Sequence, residues 1–87
     1  MTTRELKTVY DRQKSFYGRA YTTTDDNGNI YLTSYETTVC KIVDNEFIRL
    51  WGGWSSTTAR HINEFRQQHG LPKISKSEWQ AMEVAEK

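Results

Sequence analysis

The sequence predicts an α+β fold: a three- to four-stranded antiparallel sheet followed by two C-terminal helices packed on it. Three observations carry this reading. Segments rich in β-branched and aromatic residues are separated by Asp-Asp-Asn-Gly-Asn and Asp-Asn, both turn-forming runs. Gly52-Gly53 closes the last of these segments. Two amphipathic stretches then follow, each opening on serine. With 87 residues the chain reads as one domain over 1–87. A domain of this size buries only about 60–65% of its unfolded surface, so a large internal cofactor cavity is unexpected and function belongs on the surface.

Taken in order, Thr2 and Glu5 match a capping box, and Leu6, Val9 and Tyr10 recur at helical spacing, which allows a short helix from Thr3 to about Arg12. Ser15 to Thr24 reads as a strand, and Asn27-Gly28 turns it into a second near Asn29 to Ser34. Thr37 to Val43 is a third, turned by Asp44-Asn45 into Glu46 to Trp51. Between the second and third, the apolar parity passes from Tyr31 and Tyr35 to Cys40 and Ile42, so a bulge or corner is expected around SYET. The first long helix runs from about Ser56 to His69, with Ala59, Ile62, Phe65 and His69 on one stripe and Gly70-Leu71 as a Schellman ending. Ser75 and Glu78 cap the second, Ile74 and Trp79 staple it, and it is expected to reach about Ala85. The expected core is Val39, Ile42, Ile48, Leu50 or Trp51, Ile62 and Phe65.

Several chemistries are excluded by what the chain lacks. Cys40 is the one cysteine, so no intramolecular disulfide forms, and its apolar strand setting suits a core residue better than a nucleophile. His61 and His69 lie about two helical turns apart, too far to share a metal without a third element. No phosphate-cradling glycine motif or nucleophile elbow occurs. The expectation is a protein without enzyme activity, metal or cofactor. MTTRELKTVY has no signal-peptide core and no apolar run approaches a membrane span, which fits a cytoplasmic protein that does not enter membranes.

The net charge of +1 conceals alternating blocks: +3 over 1–24, −4 over 25–46, +4 over 47–76 and −2 over 77–87. The basic blocks either meet to form an anion-attracting face or interleave with the acidic ones and merely balance them.

The stretch GWSSTTARHINEF, Gly53 to Phe65, concentrates the candidate site. Its helix start has no carboxylate before Glu64, and the helix dipole there coincides with Arg60 and His61. One reading makes Thr57, Thr58, Arg60 and His61, with Arg66 further along, contacts for an anion or a partner. The other makes the hydroxyls helix caps and pairs Arg60 with Glu64. The second helix carries Glu78, Glu83 and Glu86 against a terminal Lys87, the wrong sign for a DNA-recognition helix. Nucleic acid would instead meet Arg60 and Arg66 on the first helix together with Lys7, Arg12, Lys14 and Arg19 near the N-terminus, with Tyr17, Tyr21 and Tyr31 as stacking residues. A host protein accounts for the same tyrosines and arginines at least as well. Self-assembly through an edge strand, either Ser15–Thr24 or Glu46–Trp51, would make a homodimer.

KSFYGRA (Lys14–Ala20), YLTSYETTVCKI (Tyr31–Ile42) and WSSTTARHINEF (Trp54–Phe65) together resemble a family of small proteins of unknown function encoded by phages, prophages and plasmids of Firmicutes. The resemblance spans residues 14–69 and implies an α+β domain with a meandering sheet before the helix, and no catalytic residue. Matching positions include Tyr17, Gly18, Tyr35, Thr37, Thr58, Arg60, His61 and Phe65. By genetic context it implies a binding protein that acts on a host macromolecule, as an anti-CRISPR-like inhibitor of host defence does. The alternatives are a nucleic-acid-binding accessory protein and a self-assembling structural protein.

Overall fold

Residues 20–49 fold into a meander because each turn uses a left-handed backbone. In this computed structural model, which describes residues 1–85, strand β2 (Ala20–Thr24) is joined to β3 (Ile30–Ser34) through Asp25–Asn29. Gly28 takes φ 83° there, and its N–H donates to the Asp25 carbonyl at 3.1 Å. The Asp25 carboxylate accepts the backbone N–H groups of Asn27 and Asn29 at 2.9 and 3.0 Å, which locks the loop. Strand β4 (Thr37–Val43) passes to β5 (Glu46–Arg49) through Asp44 and Asn45, at φ 51° and 67°, the two left-handed centres of a type I′ turn.

The parity change around SYET has two causes. Ser34 pairs with Thr37 around the tight turn Tyr35-Glu36, and the register then shifts so that Thr33 faces Thr38 but Leu32 faces Cys40. Val39 is thus the extra residue of a β-bulge, and both Val39 and Cys40 are buried. The carbonyl of Val39 accepts the Leu50 N–H at 2.9 Å.

The N-terminal helix is not formed. Residues Thr2–Glu5 are strand β1, antiparallel to β2, so the sheet has five strands in the order β1-β2-β3-β4-β5. Tertiary pairing overrides the local capping signal: Thr2 and Thr3 are β-branched, and the Glu5 carboxylate accepts the Gly18 N–H at 3.1 Å instead of reaching back to a cap. The expected strand from Ser15 is correspondingly short. Phe16 to Arg19 form a turn, with Tyr17 and Gly18 at φ 53° and 73°, and β2 starts only at Ala20.

Of the two strands expected at an edge, only the one from Glu46 is there: β5 ends the sheet, although its Arg49 end is covered. The Ala20–Thr24 strand lies inside the sheet, and β5 has its Arg49 end occupied by a parallel bridge to Val84 and by the Ala85 N–H, 2.8 Å from the Arg49 carbonyl. That pairing also explains why the second helix, α2 (Lys76–Ala81), stops short of Ala85. The expectation for Glu86 and Lys87 lies outside the described residues.

Helix α1 (Ser56–Gln68) packs on the face carrying Ala20, Leu32, Cys40 and Ile42, with Ile62 and Phe65 in the shared core. Val39, Ile42 and Leu50 are buried as expected, but Ile48 pairs with Lys41 on the opposite face, because Phe47 and Arg49 occupy the inward positions of β5. The predicted Schellman ending forms, with Gly70 N–H to Gln67 at 3.2 Å and Leu71 N–H to Arg66 at 2.8 Å. The Ser75–Glu78 capping box forms too. Of the expected stripe, Ala59 is half-buried and His69 exposed. The helix instead buries four polar residues, Thr58, His61, Glu64 and Arg66, beside Ile62 and Phe65.

Each of the two buried ions of α1 is held by its own partners. Glu64 Oε1 accepts the backbone N–H groups of Tyr10 and Asp11 at 2.9 and 2.7 Å, and its Oε2 accepts from Gln68, which also donates to the Lys7 carbonyl at 2.6 Å. Arg66 donates to the Pro72 carbonyl at 2.9 Å and lies 4.4 Å from the Phe47 ring centre. Glu64→Ala is expected to cost about 2–4 kcal/mol, because two backbone donors lose a charged acceptor. Glu64→Gln, which retains one acceptor oxygen, should cost less. Urea denaturation of both variants checks this, and an unchanged midpoint for Glu64→Ala would refute the clamp.

Candidate interaction face

With residues 7–11 clamped to α1, the chain that follows runs across the first turns of that helix. The Thr8 hydroxyl donates to the Lys14 carbonyl at 2.7 Å, closing this loop, and Phe16 is buried beneath it with its ring 4.4 Å from that of His61. The loop, the Tyr35 hairpin tip and the start of α1 surround a depression of about 220 Å³ lined by Gln13, Tyr17, Arg19, Tyr35, Thr57 and His61. Residues Gln13, Ser56, Thr57 and Arg60 line a second depression beside it. A larger cleft of about 380 Å³ continues past Arg60 to Arg12 and Lys73.

The two basic blocks therefore meet: Arg12 from the first and Arg60 and Lys73 from the second line one cleft. The carboxylates sharing it are engaged, Glu64 by backbone donors and Asp11 by Arg60 at 3.7 Å. Arg60 thus pairs across to the loop and not with Glu64 one turn along its own helix.

The predicted site residues divide sharply. Thr57 and Arg60 are exposed and line the face. Thr58 and His61, expected at the surface, are buried because they point to Ser34: its hydroxyl lies 3.0 Å from Thr58 Oγ1 and 2.7 Å from His61 Nδ1. Arg66 is a structural ion under the Pro72 loop and not a contact residue. Helix capping falls to Ser55, whose hydroxyl accepts the Thr58 N–H at 3.1 Å. Tyr17 and Arg19 join the face, with Arg19 5.6 Å over the Tyr35 ring. Lys14 is exposed but lines none of these depressions, and Tyr21 projects with Tyr31 from the opposite face of the sheet, so the stacking group Tyr17, Tyr21 and Tyr31 is split. Gln13 carries no signal in the sequence, and Tyr35 is marked there by the parity change around SYET and by the resemblance.

Two features of the face stand out energetically. Tyr17 is 75% exposed and Tyr35 47% exposed, yet both hold a left-handed backbone at φ 53° and 57°. A side chain with a Cβ costs about 1–2 kcal/mol in that region. Cys40, in contrast, is sealed away, and burial raises its thiol far above the ordinary range despite the pull of Arg66. Among the described residues no cluster of three His, Cys, Asp or Glu comes together, and no helix is long and apolar enough to cross a membrane.

The chain matches the Family of unknown function (DUF8033) over residues 4–81 and belongs to that family. The match extends past the three resembling blocks into α2, so that helix belongs to the family's domain. No curated protein and no solved structure matches the chain.

Burial lowers the pKa of His61 to about 4, against the opposing charge of Asp11. The sign follows: an unfolded chain takes up this proton below about 6.5, while the folded one resists it until about 4. Stability contributed by the neutral imidazole is complete above that window and is lost as pH falls through it, at no more than about 1.4 kcal/mol per pH unit. His69, also lowered by burial, acts in the same direction. We expect the unfolding free energy to decline from pH 6.5 towards 4 and His61→Gln to flatten that decline; equal slopes in denaturation series would reject the assignment.

Proposed function

We propose that this protein is a small non-enzymatic binding protein that captures a host protein through the face formed by Tyr17, Arg19, Tyr35, Thr57 and Arg60. The observation that carries the proposal is the pair of exposed tyrosines in left-handed backbone. The left-handed backbone itself closes the Phe16–Arg19 and Ser34–Thr37 turns, but glycine or asparagine would close them at less cost, so a tyrosine ring at each points to a role outside the fold. Tyrosine and arginine are also the types that dominate protein-binding hot spots. The resemblance of three blocks to proteins of phages, prophages and plasmids supports a mobile-element origin and, with it, inhibition of a host defence factor in the host cytoplasm. That step is one of genetic context.

A nucleic-acid reading is favoured by a separate observation, the convergence of Arg12, Arg60 and Lys73 on one cleft. It predicts binding that weakens steeply with salt. Against it, Asp11 stands in the same cleft and offsets part of the cationic charge.

The test is capture of partners from a Firmicute lysate by the tagged protein, with and without nuclease. A protein retained after nuclease, and reduced roughly thirtyfold or more in affinity by Tyr17→Ala or Tyr35→Ala, is the expected result. Tyr17→Gly should abolish capture while stabilising the fold by about 1 kcal/mol, since glycine relieves the left-handed strain. Capture that survives all three substitutions, or that vanishes with nuclease, would sink the protein-partner reading.

A further inference from the structure

The depression between Tyr17 and Tyr35 has a hydrogen-bond donor at its floor. His61 is only 1% exposed and yet lines this space. Its Nδ1 is engaged by Ser34, and among the described residues no hydrogen bond reaches Nε2. Among the described residues no fully buried side-chain nitrogen or oxygen lacks a partner, so Nε2 reaches solvent-accessible space, which at His61 is this depression.

The chain of hydroxyls behind the ring decides where its proton sits. If Thr58 donates to Ser34 and Ser34 donates to Nδ1, both hydroxyl protons are used and the neutral ring carries its proton on Nε2. In the reverse order Nδ1 donates to Ser34 and Ser34 to Thr58, and the Thr58 proton then finds no acceptor among the described hydrogen bonds although Thr58 is 5% exposed. Each order leaves one donor without a protein partner, Nε2–H in the first and the Thr58 hydroxyl in the second. His61 lines the depression, where solvent or a ligand satisfies its donor, whereas Thr58 lines none of the depressions, so the first order is the less costly.

The rim matches a donor at the floor. Arg19 makes no ion pair among the described residues and leans over Tyr35, the Thr57 hydroxyl stands opposite, and no carboxylate lines the space. The neighbouring cleft differs on that last point, because it contains Asp11 and Glu64. Charge therefore singles out this depression as the anion-accepting part of the face.

We propose that the depression is a subsite for an acidic side chain of the partner protein, its carboxylate accepting from His61 Nε2 and Thr57 with Arg19 as counter-charge. The methylene stem of that side chain packs between Tyr17 and Tyr35. This rests on the protein-partner reading above and names the chemistry of one contact within it.

The test is a nuclear magnetic resonance titration of labelled protein at neutral pH with N-acetyl-glutamate amide, its glutamine counterpart and inorganic phosphate. Before any addition, His61 Nε2 should show the protonated form. Glutamate is expected to shift the His61 and Arg19 side-chain signals saturably, with affinity reduced about tenfold in Arg19→Gln, an exposed position that leaves the fold intact. The glutamine counterpart should be inert. An unprotonated Nε2, an equal response to glutamine, an undiminished response in Arg19→Gln, or a stronger response to phosphate than to glutamate each overturns the proposal. The two readings separate in partner capture: dependence on Tyr17 and Tyr35 with indifference to Arg19→Gln removes the acidic-side-chain subsite and leaves the interface standing.

Discussion

The carboxylate of Glu64 is the constraint on which the contact face hangs. It is buried on the flank of α1 that carries Arg60, and what it holds is not the sheet but the backbone of Tyr10 and Asp11, with Gln68 extending the grip to Lys7. A buried carboxylate is tolerated only when its oxygens are met by donors, and here those donors come from a loop that has no regular secondary structure of its own. Everything that follows in the chain inherits its position from this anchor: Asp11 beside Arg60, Gln13 across from Thr57, Phe16 under the loop, and Tyr17 at its exit.

The same logic runs along the rest of α1 and into α2. A helix with four polar residues on its buried side gains less from apolar burial than an ordinary amphipathic one, but each of its polar groups ties a separate segment to the core. His61 and Thr58 hold β3 through Ser34, Asn63 exchanges two hydrogen bonds with the backbone of Ile74 at 2.8 and 3.2 Å, and Arg66 holds the Pro72 loop. Arg49 does the equivalent work at the far edge, donating to the carbonyls of Trp51, Gly52 and Met82 while lying 5.1 Å over the Trp79 ring. Trp79 is fully buried and donates to the Gly53 carbonyl at 2.7 Å, so α2, a helix of six residues, is kept in place by one indole.

These arrangements explain what was legible in the sequence and what was not. Turns and caps are local chemistry: Asn27-Gly28, Asp44-Asn45, Gly70-Leu71 and Ser75–Glu78 all act as their residue types suggest. Parity also pointed to the irregularity between β3 and β4, although the bulge lies at Val39, past the SYET turn. The N-terminal segment failed because Thr2–Glu5 satisfies a helical cap pattern and a strand pattern alike, and only pairing with β2 decides between them. For the site, hydroxyls and basic residues on a helix start read as surface, and half of them are. Thr57 and Arg60 lie on one side of the helix, and Thr58 and His61, one position on, turn to the sheet. The partner that buries them, Ser34, is more than twenty residues away in sequence, so no local pattern could have identified it.

The helix start and the tyrosine face are parts of one arrangement. Had the hydroxyls of α1 all served as caps, Thr58 would stand outward and the Ser34 hydroxyl that holds His61 Nδ1 would lack its second partner. Because Ser55 alone takes the capping role, Thr58 is released to the sheet, where it orients Ser34 and through it the imidazole. The ring is then held neutral by its burial and fixed in orientation by Ser34 and Phe16. Tyr35 sits one residue after Ser34, so the same turn that supplies the hydroxyl behind the imidazole also presents a strained aromatic ring in front of it, with ring centres 5.9 Å apart. A face assembled in this way is ordered in advance and, on the proposed reading, has little freedom left to lose in a contact.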